Sequence, residues 1–262
     1  MNSEEVGRYW NQNAEVWTRH ARAGYDIYRD SLNTPAFFAI LPDVSGLNGL
    51  DIGCGEGHNT RLLAKAGAKM TAIDIAEVFI GHARDAETAA PLGIDYQLAD
   101  GTALPFTTNR FDFATAFMSL MDMPEQDKGL AEAARVLKPG GFLQFSILHP
   151  CFVPPVRKTL RRMDGTTRAI EISDYFRRVD GDIDEWKFNG APIAERHSVE
   201  PFRIPRYHRT LSDWVAMIVA AGLHIEAFGE PMASEDVAKA VPAVEDTRVA
   251  PIFLHVRARK PA

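Results

Sequence analysis

Asp51-Ile-Gly53-Cys54-Gly55-Glu-Gly57 closes the short apolar run Leu47 to Leu50 and opens the helix-like stretch Asn59 to Ala66. A strand that ends in alternating glycines and turns into a helix brings bare backbone N–H groups against a ligand, and a nucleotide-like molecule fits such a turn. The residues between the glycines choose among guests. A dinucleotide turn, G-x-G-x-x-G, needs its third glycine where this chain has His58, and a pyrophosphate there meets the like charge of Asp51 and Glu56. Two carboxylates suit a cationic nucleoside without phosphate, and S-adenosylmethionine, with its ammonium and sulfonium, is of that kind.

Such a turn has to be positioned by a sheet. From residue 47 to 148 short apolar runs alternate with helical patterns, as in a parallel sheet covered by helices. Strands are expected at Leu47 to Ile52, Lys69 to Ile73, Asp95 to Ala99, Phe111 to Met118 and Gly141 to Leu148, with helices near 59–66, 77–89 and 125–137. The last helix runs into Arg135-Val-Leu-Lys138-Pro139-Gly-Gly141, where proline and glycines stop it and Lys138 is expected at its negative end. Residues 4–40 place Tyr9, Trp10, Trp17, Tyr25, Tyr28, Phe37 and Phe38 at helical spacings, which predicts a helical cap on the sheet edge, with Tyr9 and Trp17 as candidates to roof the cofactor.

From His149 to Arg209 the character changes to prolines and arginines without a helical period, which predicts an insertion with strands of its own and a lid role. Leu211 to Ala221 resumes as an amphipathic helix capped by Thr210 or Ser212 and stopped by Gly222. Strands at Leu223 to Phe228 and Ile252 to Arg259 flank a partly helical connection around 235–244. The stretch Trp214 to Leu223 reads as a buried helix, being about half the roughly 20 residues of a membrane span. The expected organisation is one domain over 1–262: a cap at 1–46, a core at 47–148 and 210–262, and a lid at 149–209.

With 262 residues, 46% of them apolar, the chain can bury a substantial core. The net charge of −6 argues against nucleic acid as a partner. Two cysteines, Cys54 and Cys151, are too few for a disulfide framework, and Met1-Asn-Ser-Glu-Glu lacks the marks of a secretory leader, so a cytoplasmic location without membrane contact is expected. No His, Cys and carboxylate group has metal-ligand spacing, so no metal is expected.

Together these features resemble the class I S-adenosylmethionine-dependent methyltransferases of the D-x-G-C-G-x-G group (type 11-like), over roughly 47–148 and the closing elements after 210. The resemblance implies an α/β, Rossmann-like, seven-stranded, mostly parallel sheet with its last strand antiparallel between its neighbours. It implies S-adenosylmethionine as cofactor, S-adenosylhomocysteine as product, and methyl transfer to a small molecule at O, N or C. Asp51, Gly53, Cys54, Gly55 and Gly57 then form the cofactor turn. Asp74 and Ile75 meet the ribose, Asp100 the adenine amino group, Gly101 and Thr102 the ring, and Met118 or Ser119 lines the cofactor. Cys54 is expected to pack against the sheet and not to act as a nucleophile, for want of an activating base.

Methyl transfer from a sulfonium is an in-line displacement that needs an oriented acceptor, little water, and a base only if the acceptor is protonated. His149, directly after the fifth strand, and His208 are the candidate bases, and Tyr207 and Arg209 the candidate substrate contacts. His58, His82 and His197 have weaker cases. The cluster Arg157, Lys158, Arg161, Arg162, Arg168, Arg177 and Arg178 is expected to be solvated and offset by neighbouring acids. Two other readings stay open: a non-catalytic cofactor-binding regulator or assembly subunit, and an NAD-dependent oxidoreductase.

Overall fold

The structure is a computed structural model describing residues 1–262. Its centre is a seven-stranded sheet. In chain order its strands are β1 (Asn48–Ile52), β2 (Lys69–Asp74), β3 (Asp95–Leu98), β4 (Phe111–Phe117), β5 (Leu137–Leu148), β10 (His224–Gly229) and β11 (Phe253–Arg259), in spatial order β10-β11-β5-β4-β1-β2-β3. β1 to β5 pair in parallel, and β11 is antiparallel to both β5 and β10. The helices α3 (His58–Lys65), α4 (Glu77–Ala89), α5 (Gln126–Val136) and α7 (Leu211–Ala220) cover the sheet. After β3 the chain crosses to the other side of β1 to form β4, so the crevice beyond the carboxyl ends of β1 and β4 lies at a topological switch point.

Burial explains why the central strands read as continuous apolar runs. Leu50, Ile52, Ala114, Phe145 and Trp214 belong to the core on one side of the sheet; Leu63, Met70, Ala72, Phe113 and Phe142 form the core on the other. Phe113 and Phe142 stack with centroids 5.6 Å apart. Gly49 is needed beneath them, because a Cβ there would lie 2.3 Å from Phe113 Cζ.

β5 starts at Leu137, four residues before the expected Gly141, because Lys138 leaves the helix end and puts Nζ 2.7 Å from Asp112 Oδ1. Its expected role at the negative end of α5 is thus corrected. Thr210 caps α7, and that helix is one-sided and not buried throughout: Trp214 and Ile218 are buried, while Val219 is 63% exposed.

The N-terminal segment forms α1 (Ser3–Arg22), a π-helical turn (Arg29–Asn33) and α2 (Thr34–Ala39). Asn2 and Glu5 make a reciprocal capping box at the start of α1. α1 lies on α4 and across the carboxyl end of β2, where a Cβ on Gly7 would be 3.1 Å from Ile75 Cγ1. The insertion has its own strands, as expected: the hairpin β6 (Val156–Arg161) with β7 (Thr167–Ser173), and β8 (Val179–Trp186) with β9 (Phe202–His208) around α6 (Ile193–Ser198). Asn13 ties α1 to β9 through Arg203, donating to its carbonyl at 3.0 Å and accepting from its N–H at 3.3 Å. The connection after β10 contains α8 (Glu235–Ala240) and a 3-10 turn, Pro242–Arg248. No helix is long and apolar enough to cross a membrane.

Phe113→Ala should lower unfolding free energy by about 3–5 kcal/mol, because it removes a fully buried ring and leaves a cavity against Phe142. Urea denaturation followed by circular dichroism measures the loss.

Candidate functional site

A cavity of about 780 Å³ opens at the switch point and is bounded by the glycine turn, α1, the turn after β4 and the insertion. The N–H groups of Gly53, Cys54, Gly55 and Gly57 are used within the turn, which leaves those of Glu56 and of the start of α3 without a protein acceptor. Gly53 and Cys54 both donate to the Ile73 carbonyl, at 2.8 and 2.9 Å, Gly55 donates to Asp74 Oδ2 at 2.8 Å, and Gly57 donates to the Cys54 carbonyl at 3.0 Å. What it presents is open Cα surface. Gly55 has φ +55°, and a Cβ there would meet nothing within 4 Å. Gly53 is required for another reason: at φ +75° its Cβ would be 2.4 Å from Ser119 Cβ, while Ser119 Oγ donates to the Ile52 carbonyl at 2.5 Å. Gly57 does not line the cavity; a Cβ there would strike the Tyr96 hydroxyl at 2.5 Å, so its need is packing.

Three strand ends contribute carboxylates. Asp51 is buried and accepts from Thr60 Oγ1 at 2.5 Å and Thr115 Oγ1 at 2.9 Å; burial raises its pKa and the two hydroxyls oppose the rise. Asp74 accepts from Gly55 N and from Ala76 N, the latter at 2.9 Å, and burial still pushes it up to about 6. Asp100 Oδ1 accepts from Thr102 N and Oγ1, both at 2.8 Å, and its Oδ2 has no protein partner. Thr102 itself is off the cavity wall. Glu56, expected to attract a cation, sits between two arginines, 3.4 Å from Arg22 Nε and 3.6 Å from Arg29 Nη1, so its charge is already offset. Cys54 lines the cavity, and burial followed by the nearby Asp74 charge holds its thiol well above the ordinary range, which removes it as a nucleophile.

Ile75, Gly101, Met118 and Ser119 all line the cavity. Met118 does so at φ +56°, a conformation uncommon for a side chain of its size, with its N–H bonded to the Ser146 carbonyl at 2.9 Å. Trp17 lines the wall, as expected, within an aromatic cluster: Trp10, Trp186, Phe188 and Phe202 lie 4.9 to 5.4 Å from it, centroid to centroid. Tyr9 does not; its ring sits against Arg203, and the next residue, Trp10, faces the cavity in its place.

The lid and rim candidates are placed elsewhere. His149 is buried off the cavity, with Nε2 2.8 Å from Glu230 Oε1 and Nδ1 accepting from Cys151 N at 3.2 Å, so both ring nitrogens are engaged. His208 is buried with Nε2 2.7 Å from the Tyr175 carbonyl. Arg209 donates to the Val179 and His208 carbonyls, both at 2.9 Å, and to Asp180 Oδ1 at 2.6 Å, which ties down β8. Tyr207 is buried off the wall, with its phenol pushed up to about 12 by burial and then by Asp122. A position at or near a strand end in sequence did not translate into access, because Glu230, Tyr175 and Asp180 engage His149, His208 and Arg209. Arg177 and Arg178 pair with Asp174, Asp182 and Asp180, as expected for a solvated cluster. Arg157 departs from it, lining the cavity 3.2 Å from Asp246 Oδ2.

Sequence reasoning missed Arg29, Trp10, Asp26 and Asp122 on the wall. Asp122 had a signal: it stands three residues beyond Ser119, just past the carboxyl end of a central strand, where open α/β sheets hold their ligands. Asp26, pushed up to about 6 by burial against the opposing effect of Arg29, had none.

The sheet order and its antiparallel closing strand are those of the class I, Rossmann-like methyltransferase fold. Residues 50–145 match the methyltransferase domain family. Among solved structures it is similar to an S-adenosylmethionine-dependent methyltransferase from Mesorhizobium loti, with TM-score 0.70 and 26% identity, covering 86% of this chain and 96% of that one. In sequence it is similar to malonyl-[acyl-carrier protein] O-methyltransferase of Pectobacterium atrosepticum, 29% identical over 147 residues (55% of this chain and 56% of the relative). Demethylmenaquinone methyltransferase of Renibacterium salmoninarum is 39% identical over 140 residues, 50% of this chain and 56% of the relative. The chain thus spans about half the length of these two relatives.

His149→Ala should cost about 1–3 kcal/mol of stability through the lost buried hydrogen bonds and leave affinity for S-adenosylhomocysteine unchanged. Thermal unfolding and isothermal titration calorimetry read the two quantities separately.

Proposed function

We propose that this protein transfers a methyl group from S-adenosylmethionine to a small-molecule acceptor. The observation that carries the reading is the glycine turn: with the N–H groups of Gly53, Cys54 and Gly55 spent internally, it offers open Cα surface flanked by the carboxylates of Asp51 and Asp74, which suit a cationic nucleoside better than a pyrophosphate. The dinucleotide oxidoreductase is disfavoured on the same ground. A purely regulatory binder is disfavoured by the size of the cavity, which lies in the upper part of the range of about 300–1,000 Å³ for small-molecule sites and so leaves room beside a nucleoside.

The residues present fit the cofactor. Asp74, whose two oxygens keep a lone pair each, takes the ribose hydroxyls; Asp100 Oδ2 takes the adenine amino group against Gly101; Asp51 takes the ammonium; and Arg29 takes the carboxylate. Gly53, Cys54, Gly55, Ile75, Met118, Ser119 and Trp17 line the same space. When bound, the cofactor supplies an electrophilic methyl group on a sulfonium. The protein orients the acceptor behind it and excludes water, with α1 and residues 149–209 as the lid over the 47–148 and 210–262 core. A cytoplasmic location and the absence of a nucleic-acid partner belong to this reading, supported by the net charge of −6 and two unpaired cysteines.

Two outcomes test it. Gly55→Val, whose Cβ meets no atom within 4 Å but whose branched side chain is strained at φ +55°, should lose some stability and raise the dissociation constant of S-adenosylhomocysteine more than about 100-fold by filling the cavity. Calorimetry reads this; unchanged affinity would sink the proposal. Because Asp74 titrates at about 6 and accepts ribose hydrogen bonds best when ionised, its protonation on acidification removes binding: the dissociation constant should rise about tenfold per pH unit below 6 and stay level above it. Asp74→Asn should flatten that profile at weak affinity.

A further inference from the structure

The cavity wall carries nine Asp and Glu side chains against four Arg and Lys. All four cations are committed. Arg29 is on Asp30 and Glu56, Arg157 on Asp246, Arg206 on Asp184 and the Val153 and Pro154 carbonyls, and Lys187 Nζ on the carbonyls of Arg196 and Val199. With Arg29 also assigned to the cofactor's carboxylate, no cation remains to receive an anionic acceptor.

The carboxylates are committed too, with one exception. Asp51 and Asp100 are held by threonines, Asp26 and Asp74 by backbone N–H groups, and Glu56, Asp184, Glu185 and Asp246 by arginines. Asp122 alone has neither a hydrogen bond to its carboxyl nor a cation within 4 Å. It ends the 3-10 turn Leu120–Asp122 that follows β4 at the switch point, between Met121 and Met123, which also line the cavity. β9 packs on that turn and presents apolar Ile204 to the cavity, while Tyr207 from β9, whose phenol feels the Asp122 charge, is neutral. Asp122 is half-buried on the cavity wall, so its unpaired carboxyl group is open to a partner that arrives with the substrate.

We propose that the methyl acceptor is an amine whose nitrogen docks on Asp122, the methionines and Ile204 holding its apolar body. The inference rests on the methyl-transfer reading and adds the substrate class to it. In the bound pair the ammonium passes one proton to the Asp122 carboxylate, which frees the nitrogen lone pair. Nitrogen then bonds to the methyl carbon as the carbon–sulfur bond breaks, its electron pair going to sulfur to give a neutral thioether. The methylated product leaves as an ammonium, and the proton on Asp122 passes to solvent. Burial drives the Asp122 carboxyl well above the ordinary carboxylate range, which brings it nearer an amine and eases the proton transfer.

The test uses the full chain saturated with S-adenosylhomocysteine and three probes of one shape: 2-phenylethylamine, 2-phenylethanol and 3-phenylpropionate. Calorimetry should show the amine binding at least tenfold more tightly than the other two, and Asp122→Asn should erase that preference. Equal binding of the three, preference for the carboxylate, no binding of any, or an amine preference that survives in Asp122→Asn would each overturn the assignment. Should the variant fail to fold, the ranking on the wild-type protein decides alone. Wild-type protein that binds no S-adenosylhomocysteine would instead overturn the methyl-transfer reading, and this inference with it.

Discussion

The carboxylate of Asp74, at the end of β2, accepts from the N–H groups of Gly55 and Ala76 and so joins the glycine turn of one strand to the loop that follows the next. The Ile73 carbonyl beside it receives Gly53 and Cys54. These four bonds hold the turn in the left-handed conformations at 53, 55 and 57 that only glycine adopts without strain. They also consume the N–H groups of Gly53, Cys54 and Gly55, which a phosphate would otherwise use. The cost is a carboxylate taken out of water, visible in its raised pKa, and charge-assisted hydrogen bonds of about 1.5–3 kcal/mol each offset it.

Around that clasp the site is assembled from parts far apart in the chain. α1 contributes Trp10 and Trp17, the insertion contributes Trp186, Phe188 and Ile204, and the turn after β4 contributes Asp122. Aromatic edge-to-face contacts and the Asn13 bonds to Arg203 fasten roof to lid without a disulfide. The cofactor end is thus built mainly on strand ends of the sheet, and the acceptor end on the insertion. This division lets one core serve different acceptors, since a change in the lid leaves the glycine turn untouched.

Much of the fold was legible because its signals are local. Five parallel strands and their helices were readable from short apolar runs and from glycine and proline punctuation, with errors of a few residues except at β5, where Lys138 found Asp112 instead of the end of α5. Gly53, Asp74, Asp100 and Trp17, which line the cavity, were legible as candidates for the same reason: each stands at a spacing set by one βα unit or one helix face. His149, His208 and Arg209 looked available because their sequence neighbours said nothing of Glu230, Tyr175 or Asp180.

The sequence by itself determined the alternation of strands and helices, the positions of the glycines and the surplus of acid, all of which are properties of short windows or of composition. Only the tertiary structure decided which of those donors and charges remain free. An N–H, a ring nitrogen or a carboxylate becomes available or committed according to what folding brings within about 3 Å of it, and the partners here lie up to 81 residues away for His149 and 190 for Asn13. Asp122 was left without a partner by that same process.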